Sequence, residues 1–313
     1  MVGWNDLGIV PLRRLNGRGR PAPHLSLQFD SHLFSVDTSR TPKSGVQPQA
    51  YLITHAHSDH YGKSAMLSPQ AVASRETARA LEIRYGKRFM GRTFNVGDKI
   101  DVAGVEVSTY STRHTIGSAA FAWENESGVT TLVTGDVKDY KQLPKCDLLV
   151  SEGTYGDPWD SSCTFDDDLT GFWDALQAGS AFGAYAFGKA QRAVSLIRGM
   201  GYKGEIGMDE QSLALTRELM PSAGPLADFQ EDGAATSVVT PPTLHRVKSN
   251  NKFVLTGMIC RSYPKIRLSD HMDFRGLMRM FDHVQPQSII AYHPEGTRTK
   301  LLAHYLRQMG REA

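Results

Sequence analysis

The first half of the chain alternates short apolar runs with turn residues. Leu25–Phe29, His32–Val36, Tyr51–Thr54, Val105–Tyr110, Ala119–Trp123, Thr130–Thr134 and Leu148–Ser151 are mostly β-branched or aromatic and are bounded by Gly, Asp, Asn or Pro. That pattern predicts strands. Over Ser68–Tyr85, Ala, Leu and Ile recur with helical spacing, which predicts a helix. Two packed sheets with helices outside is the architecture these elements imply. The pattern changes after Glu152. Asp166–Ala178 and Gly188–Met200 read as amphipathic helices, and Ser212–Met220 as a shorter one. Pro221–Pro242 is rich in Pro, Gly, Ala, Ser and Thr and predicts a long loop or a poorly ordered connection. Strand-like sequence returns at Lys252–Thr256, and Ser288–Tyr292 with Thr297–Gln308 predicts a closing strand–helix pair. No internal repeat is visible.

A length of 313 residues fits one large domain or two joined ones. A net charge of +2 gives no bulk electrostatic case for nucleic acid. Arg13, Arg14, Arg18 and Arg20 do gather in a Gly/Pro-containing stretch, which reads equally as a solvated arm or as one that tracks phosphates. Cys146, Cys163 and Cys260 are scattered, with no CxxC pair, which fits a reducing compartment. The first residues lack a basic segment followed by an apolar one, and no stretch approaches a membrane span. A cytoplasmic location without membrane contact is the expectation.

The chemistry begins at His55-Ala56-His57-Ser58-Asp59-His60, directly after the apolar run Tyr51–Thr54. Three imidazoles and a carboxylate within six positions are the donors zinc favours. On extended backbone His55 and His57 point the same way, because side chains alternate. Asp59 and His60 fall where the chain turns and aim at a second point. The spacing suits two metals better than one. His114, Asp136, His271 and His293 lie in or beside predicted strand ends, where a rigid sheet presents ligands. Taken singly, Asp136 and His114 read as a turn residue and a backbone-bonded histidine; their joint order after the first motif reverses that.

In this order the motifs resemble those of the metallo-β-lactamase-fold hydrolases. Ser151-Glu152-Gly153-Thr154-Tyr155 resembles the acidic motif of the β-CASP nucleases, Leu268–Phe274 their histidine motif, and Tyr292-His293-Pro294-Glu295 their last motif, with Pro294 in place of Gly. Ala184–Arg192 and Leu268–His271 are most similar to the DNA-ligase-associated exonuclease branch, also described as related to mRNA 3′-end processing factors. The resemblance implies an α/β fold: an αββα sandwich from 1–157 and 262–313, with a small α/β β-CASP domain inserted at 158–261. It implies two zinc ions, with manganese fitting the same donors. His55, His57 and His114 would hold one metal, Asp59, His60 and His293 the other, and Asp136 would bridge them. Asp59, Asp136, Glu152 and His271 form the implied catalytic set, with Glu152 orienting His271 as the acid.

Gly188-Lys189 opens a predicted helix, and a helix N-terminus beside a lysine can hold phosphate. Lys189 and Arg192 are therefore candidate substrate contacts, and Ser118, after Gly117, either holds a phosphate oxygen or closes a turn. The expected activity is a two-metal phosphodiesterase with its site in the cleft between the domains, and more narrowly a 5′ exonuclease on single-stranded DNA in repair. An RNA-processing nuclease is the alternative within the family, since its RNA-cutting members carry His at the last motif as His293 does here. A lactonase or thioesterase on the same scaffold is the alternative from another class, and a catalytically dead binding scaffold would have lost ligands that are all present. Nucleic acid is the expected partner, with a DNA ligase as a second.

Overall fold

The computed structural model describes residues 3–13, 25–38, 46–60, 63–231, 234–258, 260–293 and 297–313. The chain is a mixed α/β protein of two units, Met1–Thr164 with His271–Ala313, and Phe165–Asp270.

The first unit holds two six-stranded sheets. One runs, in spatial order, Ile9–Leu12, Leu25–Phe29, His32–Val36, Ala50–Leu52, Ala71–Ser74 and Arg92–Phe94. The other runs Ser288–Ala291, Leu148–Ser151, Thr130–Val133, Ala119–Glu124, Val105–Ser111 and Lys99–Val102. Leu27, Phe29, Phe34 and Leu52 of the first share one buried core with Val107, Phe121, Val133 and Val150 of the second. Burying both inner faces in one layer is the main apolar gain of this unit. On its outer face the second sheet is covered by the helices Phe274–Val284 and Arg298–Gln308, through Leu277, Phe281, Leu302 and Leu306. The helix Arg75–Tyr85 packs on the strands Ala71–Ser74 and Arg92–Phe94.

Parallel pairing decides where the chemistry lands. His32–Val36 pairs parallel with Ala50–Leu52, with Val36 opposite Leu52. Thr130–Val133 pairs parallel with Leu148–Ser151, which pairs parallel with Ser288–Ala291. Parallel neighbours end on the same edge, so the loops that follow them open side by side. Asp37 and His55–His60 follow strands of the first sheet; Asp136, Glu152 and His293 follow strands of the second.

In the second unit every recorded strand pair is parallel, in the order Leu226–Asp228, Ile206–Met208, Thr236–Val239, Ala181–Gly183, Lys252–Leu255 and Lys265–Ile266. Parallel sheets are buried on both faces, and this one is short and apolar accordingly. Phe182, Ile206, Met208 and Val238 pack with Phe172, Ala193, Val194 and Ile197 from the helices Leu169–Gln177 and Lys189–Gly199.

Two expectations are corrected. Ser68–Tyr85 is a strand, Ala71–Ser74, and then a helix, Arg75–Tyr85. Pairing between Tyr51–Leu52 and Arg92–Phe94 holds the alanine-rich run extended against its helix propensity, and Ser74 caps the helix by accepting from the Thr77 N–H. Pro221–Pro242 is not one long loop, because Leu226–Asp228 and Thr236–Val239 are strands in it. The second unit runs Phe165–Asp270 beside the expected 158–261, and it takes in Lys265–Ile266, which pairs with Val254–Leu255 in its sheet. The helix Phe274–Val284 was not anticipated, although its buried Leu277, Met280, Phe281 and Val284 follow helical spacing.

Candidate metal centre

The loop after Ala50–Leu52 carries His55, His57, Asp59 and His60. The rings of His55, His57 and His114 face one another, with centroids 4.8, 4.7 and 4.9 Å apart in the three pairs. The ligand atoms of these three and of Asp136 all lie within 4.8 Å of one another. Those of Asp59, His60 and His293 form a second such group. Asp136 Oδ2 lies 3.5 Å from His55 Nε2, 3.4 Å from His114 Nε2 and 3.3 Å from His60 Nε2. One carboxylate oxygen therefore reaches nitrogens of both groups. Asp59 Oδ2 is 3.8 Å from the Nε2 atoms of both His60 and His293.

Two observations show that these donors fit metal ions. His55 Nε2, His60 Nε2 and Asp136 Oδ1 are buried and make no hydrogen bond. Leaving buried polar atoms unpaired is costly, so three in one cluster ask for a partner. His114 Nε2 also lies 3.0 Å from His57 Nδ1, two ring nitrogens converging on one place. Imidazoles and carboxylates of this kind suit zinc or manganese.

Asp37, not identified from the sequence, sets the tautomers. Its carboxylate is buried and accepts from the Thr54 N–H at 2.9 Å and from Thr54 Oγ1 at 2.8 Å. His60 Nδ1 lies 3.1 Å from Asp37 Oδ2 and, facing a carboxylate, carries the hydrogen. The Thr54 hydroxyl hydrogen is used on Asp37, so His55 Nδ1, 2.9 Å from Thr54 Oγ1, donates to that oxygen. With both Nδ1 atoms as donors, the Nε2 lone pairs of His55 and His60 are free for metal. One signal was available: Asp37 follows an apolar strand, as Asp136 follows Thr130–Val133.

Burial pushes the His55 imidazole well below its ordinary pKa, and His60 and His114 add to that push, so it is neutral. Burial also opposes a charge on His60, but the Asp136 and Asp37 carboxylates overcome it and hold its pKa well above normal. Asp136 is held well below the carboxylate range, because its histidine neighbours His60, His271 and His114 outweigh its burial. Without an ion His60 holds that proton, so metal and proton compete for its ring nitrogen and binding releases the proton.

Beside this cluster, His271 Nδ1 lies 2.9 Å from Glu152 Oε2 and 3.8 Å from Asp136 Oδ2. Glu152 Oε1 accepts from the Val137 N–H at 2.6 Å. With both oxygens engaged, the buried Glu152 is fixed and His271 Nδ1 is its donor. Gly135 shapes the approach. Its φ is 59°, and a Cβ there would lie 2.3 Å from Thr54 Oγ1, so only glycine lets the Asp136 backbone pass Thr54.

All seven expected metal ligands, with Glu152 and His271, are thus brought together in the first unit. The candidate substrate contacts are not presented in the same way. Ser118 is buried, and its Oγ receives the His114 and Thr115 N–H groups and donates to Thr115 O, which closes the loop holding His114. Lys189 is buried in the second unit with Nζ on Leu268 O at 3.0 Å and Asp270 Oδ2 at 3.1 Å. Arg192 bonds Asp167 at 2.6 Å and Asp270 at 3.2 Å. Both cations are neutralised within their own unit. Pro294, Glu295, Arg14, Arg18 and Arg20 lie outside the described residues. Among the described residues, no helix is long and apolar enough to cross a membrane.

No family model matches the chain. It is 24% identical over 294 residues to a protein of Opitutus terrae named probable DNA ligase, covering 83% of this chain and 28% of that protein. The chain therefore spans under a third of that relative's length. A crystal structure of a protein of unknown function from Enterococcus faecalis superposes with a TM-score of 0.63 at 14% identity, over 89% of this chain and 92% of that one. That likeness is one of fold and carries no activity.

Proposed function

We propose that the chain is a two-metal phosphodiesterase that hydrolyses nucleic acid, a β-CASP nuclease on a metallo-β-lactamase-type sandwich. The observation that carries this is Asp136 Oδ2, within 3.5 Å of nitrogens from both histidine groups, with the His271–Glu152 pair at 2.9 Å beside it. Two sheets sharing a core, with helices on their outer faces, support the sandwich. The relative named probable DNA ligase supports DNA over RNA as substrate, and the motif resemblance supports 5′ exonuclease action on single strands.

His55, His57 and His114 would hold one ion, Asp59, His60 and His293 the other, and Asp136 both. Bound ions would supply positive charge against the phosphodiester anion and make water acidic enough to react near neutral pH. Thr54 and Asp37 keep the lone pairs of His55 and His60 turned inward. Glu152 holds His271 Nδ1–H, and as an imidazolium His271 would give its Nε2 proton to the departing 3′ oxygen.

The test is a gel assay of metal-loaded protein on 5′- and 3′-labelled single-stranded DNA and RNA of one sequence, with Asp136→Ala alongside. Loss of the 5′ label from DNA, absent in the variant, is the expected result. No cleavage of either polymer by metal-loaded protein would refute the nuclease and favour a small-molecule hydrolase.

A further inference from the structure

Trp159 is 60% exposed, yet it is held firmly. Its backbone N–H donates to Asp157 Oδ1 at 3.0 Å. The loop that carries it is stapled to the helix Arg298–Gln308 by Arg298, which bonds Asp160 Oδ2 at 2.8 Å and Thr154 O at 3.0 Å and lies 5.7 Å over the Tyr155 ring. The indole lies 6.2 Å from the rings of both His304 and Tyr305, and Tyr305 lies 5.3 Å from Phe274. Trp159, His304, Tyr305 and Phe274 form an aromatic cluster in which the indole is exposed.

Its surroundings favour one kind of ligand. The helix Arg298–Gln308 reads RTKLLAHYLRQ, with Arg298, Lys300, His304 and Arg307 and no acidic residue. Among the described residues of the Trp159 loop, Asp157 caps the Trp159 N–H and Asp160 is paired with Arg298. An exposed ring on a basic helix is the combination that holds single-stranded nucleic acid, with a base on the ring and phosphates near the cations. The same loop leads to the proposed chemistry. Tyr155 packs 6.1 Å from His271, and Glu152 is seven positions before Trp159, at most about 25 Å of extended chain.

We propose that Trp159, backed by His304 and Tyr305, is a base-stacking ledge for a single strand whose scissile end lies at His271 and Asp136. The destination of the strand rests on the nuclease reading; the stacking does not. The test compares wild type, Trp159→Ala and Trp159→Phe on a single-stranded oligonucleotide, an abasic oligonucleotide of the same length, and bis(p-nitrophenyl) phosphate. Trp159→Ala should raise KM for the base-bearing strand on the order of tenfold, the scale of one lost base stack. Trp159→Phe should recover most of it, and the abasic strand and the small diester should be unaffected. An unchanged KM on the base-bearing strand, or an equal loss on the abasic one, would overturn the ledge. If wild type cleaves nothing, the nuclease reading fails on its own. Anisotropy titration of the labelled strand then decides the ledge: weaker binding by Trp159→Ala upholds it, and equal binding removes it.

Discussion

Replacing Asp37 by Asn tests how the chain prepares its histidines for metal. The change is nearly isosteric, and Asn tolerates the left-handed backbone that Asp37 adopts at φ 44°. What changes is the donor count. Asp37 uses one oxygen for the Thr54 N–H and the other for the Thr54 hydroxyl and His60 Nδ1. An amide has one oxygen, so in either orientation its NH2 faces an N–H. If it faces His60, that ring must keep its hydrogen on Nε2, where the metal lone pair is needed. One hydrogen bond to a charged group is lost, about 1.5–3 kcal/mol. Losing such an outer partner of a metal-ligating histidine costs about 10–100-fold in metal affinity, which is about 1.4–2.8 kcal/mol, so the two routes agree. Zinc affinity would be measured by competition with a chromophoric chelator at neutral pH, with far-UV circular dichroism to check the fold. A folded Asp37→Asn protein that binds zinc within twofold of wild type would refute the tautomer argument.

Three further outcomes follow from the same geometry. His271→Ala should keep its metal content and lose turnover by roughly 100-fold or more, as expected when a general acid is removed; elemental analysis beside the cleavage assay checks this, and full activity would exclude the assigned role. Gly135→Ala forces a Cβ to within 2.3 Å of Thr54 Oγ1 on a backbone at φ 59°. The strain and overpacking together cost about 2–4 kcal/mol, so scanning calorimetry should show Tm lower by roughly 5–10 °C. Burial pushes the Cys146 thiol up to about 12, whereas Cys260 is partly exposed. Alkylation at pH 8 read by mass spectrometry should mark Cys260 in the folded protein and Cys146 only after unfolding.

Much of the first unit was legible because its signals are local. Leu25–Phe29, His32–Val36 and Leu148–Ser151 have the bounds that their composition predicts. The cluster from His55 to His60 announces itself by spacing alone. What escaped depends on partners distant in sequence. Asp37 matters only because Val36 pairs beside Leu52, which brings it to Thr54 and His60. Ala71–Ser74 looks helical until it is paired on both sides. Lys189 looked available at a helix start, but its partners Leu268 and Asp270 lie some eighty positions on. The helix Phe274–Val284 is different: its buried Leu277, Met280, Phe281 and Val284 recur with helical spacing, a local signal that lies beside the histidine motif.

The proposed function stands on a centre for two metal ions joined by Asp136. Metal content per chain, measured by inductively coupled plasma mass spectrometry after zinc loading and desalting, tests it most directly. The predicted result is two zinc ions per wild-type chain and a loss at both positions in Asp136→Ala. One ion or none in the wild type, or two retained in Asp136→Ala, would contradict it.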